Sequence, residues 1–201
     1  MDLRSGSHRL SPVPGGPGID LPAAEHAVKD LLEALGFETS DEVLSATPIR
    51  VAKAYRDMLT PEEFEMTTFP NDQGYDELIV AGSIQFYSLC AHHMLPFVGV
   101  AHVGYLPGDC IVGLSKLARV VEYYSRTLQV QEHLTAQIAT CLQENLHPRG
   151  VGVVMEAEHM CMSLRGVSKP GARTKTSALH GVIRDDPRTR QEFFSLVGNG
   201  S

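Results

Sequence analysis

The sequence has no tryptophan, and Phe and Tyr bring its aromatic share to only 6%. That leaves little for the stacking platforms on which single-stranded nucleic acids bind. Basic residues are in deficit too: 17 Lys and Arg stand against 24 Asp and Glu, a formal charge of −7. Such a chain lacks the basic footprint of a non-specific nucleic-acid binder, although a local basic cluster can still hold a small anion. No apolar run approaches the roughly 18 residues a membrane helix needs. Met1–Gly18 has no apolar central stretch and does not read as a secretory signal. Cysteine is scarce, and Cys90, Cys110, Cys141 and Cys161 are far apart. That spacing argues against a disulfide framework and for thiols that pack in a core or bind a metal. The expectation is a cytoplasmic protein with neither nucleic acid nor membrane as its partner.

What is present is ordinary for a globular chain: 201 residues, 43% hydrophobic and 20% charged, enough to bury a sizeable core. Residues 1–18 are dominated by Pro, Gly and Ser without periodicity and are expected to be a disordered tail. Residues 19–72 read as an N-terminal helical segment and 73–201 as the main domain. One helix begins near Pro22, carries Ala24, Val28, Leu31, Leu32 and Leu35 at helical spacing, and stops at Gly36. Another opens at Thr47-Pro48, with Arg50, Lys53 and Arg56 on a face away from its apolar one.

Residues 75–90 read as a strand, and 96–105 with 110–114 as a hairpin about the turn Leu106-Pro107-Gly108-Asp109. Helices follow from Ser115 and from Val130 to Leu146, the second with Cys141 on its apolar face. Residues 151–158 alternate as a half-buried strand does. Thr174–Val182 is another strand, and Asp186-Pro187 caps a last helix. With no repeat and no alternating βαβ pattern, the class is α+β with a mainly antiparallel sheet.

Two clusters can carry metal chemistry. Cys90-Ala91-His92-His93 ends one predicted strand and His159-Met160-Cys161 ends another. A sheet can bring two strand ends together. The Cys-x-x-His spacing lets one turn supply Cys90 and His93 as zinc ligands, with Cys161 as a third. Cys110 and Cys141 suit a fourth place badly, so a three-ligand site with bound water is the more informative solution. His92 and His159 then stand beside the metal as candidate proton shuttles. The remaining histidines, His8, His26, His102, His133, His147 and His180, read as structural.

Anion chemistry is suggested by Gly113-Leu114-Ser115-Lys116 at a helix start, with Arg119 one turn on and Arg165 four residues after Cys161. Arg50 and Lys53 add charge for a polyphosphate. The Walker spacing is missing, so this is not a P-loop. Glu132, in Gln129-Val130-Gln131-Glu132, either complements a helix dipole or accepts the N1–H and 2-amino hydrogens of guanine.

These stretches resemble GTP cyclohydrolase I. They are Phe86 to His93, Gly113 to Arg119, Gln129 to Glu132, and His159 to Cys161 with Arg165-Gly166. They occur in that family's order and spacing. Thr174-Lys175-Thr176-Ser177 resembles its Thr-x-Thr-Ser strand, and Thr47-Pro48-x-Arg50-x-x-Lys53 its N-terminal helix. The resemblance covers roughly residues 22–198. It implies the tunnelling fold, an antiparallel sheet with helices on one face, assembled as a toroidal homodecamer. It implies hydrolysis of GTP at C8 to formate and 7,8-dihydroneopterin triphosphate.

Carried over, Cys90, His93 and Cys161 hold zinc, and His92 and His159 transfer protons. Glu132 binds guanine, with Gln131 and the Leu114–Ser115 backbone lining the base pocket. Lys116, Arg119 and Arg165 bind the triphosphate, joined by Arg50 and Lys53 of a neighbouring subunit. One departure stands out: the family usually has Glu between the Cys and the first His, where this chain has Ala91. A non-catalytic nucleotide- or pterin-binding oligomer of the same fold is the alternative, but it has no need of His92 and His159. A zinc nucleobase deaminase is disfavoured, since His-x-Glu and Pro-Cys-x-x-Cys are both missing.

Overall fold

The computed structural model describes residues 6–9, 18–40 and 42–198. Its centre is a five-stranded sheet of β3 (Ile79–Cys90), β4 (Pro96–Leu106), β6 (Leu128–Gln129), β7 (Gly150–His159) and β8 (Arg173–His180), in the order β6-β3-β4-β7-β8. Every pairing is antiparallel except the short parallel one between β3 and β6. The expected α+β class and mainly antiparallel sheet are present.

A second sheet joins β1 (Gly6–Arg9), β2 (Glu65–Pro70) and β5 (Cys110–Val112), in the order β1-β2-β5. It corrects two expectations. The hairpin of 96–105 with 110–114 does not form: β3 and β7 occupy both edges of β4, so β5 pairs with β2 instead. Asn71 secures that choice, because its side-chain amide donates to the Gly108 carbonyl at 3.0 Å and its backbone N–H to Asp109 at 3.0 Å. The tail expected to be disordered contains β1, paired antiparallel with Glu65–Thr68. Apart from Gly18, the rest of 1–18 lies outside the described residues.

The core lies where α3 (Leu114–Ser125) and α4 (Gln131–Leu146) cover one face of the large sheet. Val151, Val153, Met155 and Ala157 of β7 all point into it, as their alternation predicts. They meet Leu117, Val120 and Val121 of α3 and Leu134, Ile138 and Leu142 of α4, all fully buried. Each large apolar side chain removed from water contributes about 1.5–3 kcal/mol. Cys141 packs in this core as expected, and its environment raises the thiol pKa, chiefly by burial.

The other sheet face is also partly covered, which goes beyond helices on one face alone. The short α6 (Gly181–Asp185) and α7 (Pro187–Gly198) bury Ile183, Phe193 and Val197 there. The Phe193 ring sits on two paired glycines. A Cβ at Gly104 would come within 2.8 Å of it, and one at Gly152 within 2.7 Å. Asp186 caps α7 by accepting from the Thr189 N–H at 2.8 Å.

The N-terminal helices are far less embedded. In α1 (Leu21–Ala34) no residue is buried, and α2 (Thr47–Leu59) buries only Pro48 and Ala52. No described helix is long and apolar enough to cross a membrane.

Candidate functional site

The metal-capable cluster is a product of sheet register. β3 ends at Cys90, and the chain reverses through Ala91–Leu95 before β4 begins at Pro96, opposite Leu89. Met94 turns the corner at φ 54°, and its N–H donates to the Cys90 carbonyl at 2.8 Å. That tight loop holds Cys90 and His93 together. β4 is also paired with β7, and its Phe97 lies opposite His159. The short α5 (Met160–Ser163) then carries Cys161 back toward Cys90. One ligand atom each of Cys90, His93 and Cys161 lies within 4.8 Å of the others.

The donor set suits a metal. Burial, and next the adjacent Cys90, hold the Cys161 thiol above its ordinary pKa. A cation held by Cys90 and Cys161 would supply the charge that favours their thiolates. Arg165 has come to this end as well, its Nη1 at 2.8 Å from His93 Nε2. A guanidinium can only donate, so that ring nitrogen accepts. His92 is exposed, with Nδ1 at 3.9 Å from the Cys90 sulfur.

His159 is held more firmly. Its ring stacks on Phe97 with centroids 4.6 Å apart and planes 2° from parallel. Its Nε2 lies 2.7 Å from Gln131 Oε1. Burial lowers its pKa, opposed by the charge of Glu132 nearby. Glu132 itself is exposed in the first turn of α4, where the helix dipole favours a carboxylate. Thus Cys90, His92, His93, Gln131, Glu132, His159, Cys161 and Arg165 gather at one end of the sheet.

The remaining expected residues stand elsewhere. α3 runs alongside β3, so Arg119 and Glu122 flank Ile84 and Gln85 while Ser125 and Arg126 flank Phe86 and Tyr87. Gln85 is five residues short of Cys90, about 17 Å of extended chain. Leu114 and Ser115, at the start of α3, are farther again. Lys116 lines a cleft with Glu63, Glu65 and Thr67, its Nζ 5.9 Å from the Phe64 ring centre. Arg50 and Lys53 are exposed on α2, which touches the metal end through Tyr55, whose hydroxyl donates to the Met94 carbonyl at 3.2 Å.

Sequence reasoning missed Phe97 and Thr135. Thr135 is four residues after Gln131 on one helix, a spacing that was readable. Phe97 touches His159 only through strand register, which no local pattern reveals.

Comparison with known proteins gives the family. A family model described as GTP cyclohydrolase I matches residues 24–198. A GTP cyclohydrolase 1 of Synechococcus sp. strain JA-3-3Ab is 47% identical over 203 residues, spanning 99% of this chain and 89% of that protein. One of Streptomyces avermitilis is 54% identical over 181 residues, spanning 87% and 89%. Matched along almost its whole length, and with Cys90, His93 and Cys161 gathered at one sheet end, the chain belongs to the GTP cyclohydrolase I family.

Proposed function

We propose that this chain hydrolyses GTP at C8, releases formate and closes the product to 7,8-dihydroneopterin triphosphate. One observation carries the reading: Cys90, His93 and Cys161 converge within 4.8 Å, with His159 anchored at the same sheet end. Two sulfurs and an imidazole nitrogen suit zinc, and three protein ligands are the number a catalytic zinc site uses. When bound, zinc supplies a Lewis acid and a water whose pKa falls toward neutrality.

The protein's own groups do the rest. His159 and His92 move protons as the purine ring opens. Glu132 accepts the two hydrogens of the guanine edge; adenine offers no such pair and would leave the carboxylate unmatched. Gln131 and the Leu114–Ser115 backbone line the base pocket. Lys116, Arg119, Arg165, Arg50 and Lys53 hold the triphosphate and so fix the base over the metal.

Within one chain, Arg119 flanks Gln85, about 17 Å of strand short of Cys90. We therefore read the working unit as a homo-oligomer in which a neighbouring copy brings Leu114 to Arg119, and another Arg50 and Lys53. The decamer is the assembly the resemblance implies. The test is GTP turnover by the zinc-loaded protein, followed as formate and as the pterin chromophore, with Cys161→Ala as control. Both products, lost in the control, are expected. Neither product, with zinc bound, would leave a nucleotide- or pterin-binding oligomer.

A further inference from the structure

Gln131 is almost wholly buried, at 1% exposure, yet every polar atom of its side chain is engaged. Its Nε2 lies 3.0 Å from the Thr174 carbonyl, 3.3 Å from the Met155 carbonyl and 3.1 Å from Thr176 Oγ1. Two of these partners are carbonyls, which can only accept. The amide nitrogen therefore faces them, and the oxygen faces His159.

Hydroxyl directions follow in turn. Thr135 Oγ1 donates to the Gln131 backbone carbonyl at 2.7 Å. Having spent its hydrogen there, it accepts from Thr176 Oγ1 at 2.6 Å. Thr176 then accepts from Gln131 Nε2. The two amide hydrogens are shared among three acceptors, so the loop of bonds closes and the amide keeps its orientation. Gln131 Oε1 is an obligate acceptor aimed at His159 Nε2, 2.7 Å away. That nitrogen must carry the ring proton, and in the neutral imidazole Nδ1 is left bare. The stack on Phe97 fixes the plane of the ring, with centroids 4.6 Å apart.

We propose that Gln131 is a positioning residue that, locked by Thr176 and Thr135, fixes His159 as its Nε2–H tautomer and makes Nδ1 the atom that accepts a proton during turnover. The role goes beyond lining the base pocket, because the hydrogens of the amide are already committed to Thr174, Met155 and Thr176. It rests on the reading of His159 as a proton-transfer residue.

The primary measurement is magic-angle-spinning NMR of protein labelled with ¹⁵N-histidine, with the His159 signals identified by their loss in His159→Asn. Wild type is expected to show a protonated Nε2 and a bare Nδ1. Gln131→Met, which keeps the shape and removes the bonds, is expected to show both tautomers. Its kcat should fall about 100-fold, the scale of misdirected proton transfer, a larger change than any in KM for GTP, as expected where transition-state interactions are chiefly lost.

Thr176→Val should lower kcat about threefold to tenfold, one hydrogen bond's worth, and Thr176→Ser should restore it. A bare Nε2 in wild type overturns the proposal without any variant, so it stays testable even where Gln131→Met does not fold. A raised KM with intact kcat in Gln131→Met overturns it in favour of base binding. Equal losses in Thr176→Val and Thr176→Ser assign the effect to packing and overturn the relay. Absence of GTP turnover in wild type would sink the functional reading instead, while the tautomer measurement still stands.

Discussion

The metal end of the sheet and the cationic face of α3 are built by different means. Cys90, His93, His159 and Cys161 sit on strand termini or the tight turns leaving them, so backbone pairing sets their distances. Lys116 and Arg119 sit on the outward side of a helix whose other side is packed against the core. The first group is assembled within one chain. The second shares clefts with Glu62, Glu63 and Glu65 and stands a strand's length from the Cys90, His93 and Cys161 cluster. Atoms whose mutual distances are short are fixed by the sheet, while the cations of α3 are held only by a helix surface; under the proposed function these would meet a flexible, charged substrate tail. The barely buried α1 and α2 belong with the second group.

The strongest way to break that comparison is to remove a metal ligand. Losing a group that merely supports a ligand costs about 10–100-fold in metal affinity, so Cys90→Ala should exceed that and leave turnover below about 1%. Metal content by atomic absorption checks it; full zinc occupancy in Cys90→Ala would remove this cysteine from the site. Arg119→Ala should act differently. Losing a charge-assisted contact worth about 1.5–3 kcal/mol raises KM roughly 10–100-fold with kcat little changed. Co-assembly then sharpens the contrast. Oligomers mixing Cys90→Ala and Arg119→Ala subunits should regain about a quarter of the sites, the statistical share where the two altered groups come from different copies. No recovery would place both groups in one chain's site.

A smaller effect is expected at Gly152, far from either group. Gly152→Ala drives a methyl into the Phe193 ring. Overpacking of this kind costs about 1–3 kcal/mol, read as a lower urea midpoint with the site's metal content unchanged.

Much of this was legible in the sequence, for identifiable reasons. The alternation of Val151 to Ala157 and the helical spacing of Leu134, Ile138 and Leu142 are local patterns, and they appear as read. The metal-capable cluster of Cys90, His93 and Cys161 was legible because Cys-x-x-His is a chemical spacing. Pairing was not. The turn at Pro107-Gly108 promised a hairpin, but partners are chosen by which strand edges remain open, and β4 had none. The short β6 carries too few residues for a periodic signal, and β2 turns Met66 and the polar Thr68 inward, so its hydrophobic alternation is broken. The commitment of Gln131 is equally non-local, since it needs β7 and β8 beside the first turn of α4.

The smallest predicted effect separates the fold's response to pH from the site's. His102 is 7% exposed and points away from the main core, between Ala101 and Val103, which point into it. Its Nδ1 accepts from the Ser83 N–H at 3.4 Å, where Ser83 bulges at φ 54°. Burial lowers its pKa, partly opposed by Glu156 and reinforced by Lys175. The unfolded chain, with an ordinary histidine of about 6.5, therefore takes up a proton first as pH falls. Stability from this residue is complete above that value and is lost as pH drops from there toward the lower folded pKa. Wild type should lose more stability than His102→Asn between about pH 7 and pH 5 in urea unfolding. Parallel curves for the two proteins would show that His102 is not buried as a neutral ring. A divergence would mark this histidine, on the face opposite α3 and α4, as an acid-sensitive point of the scaffold distinct from the metal end.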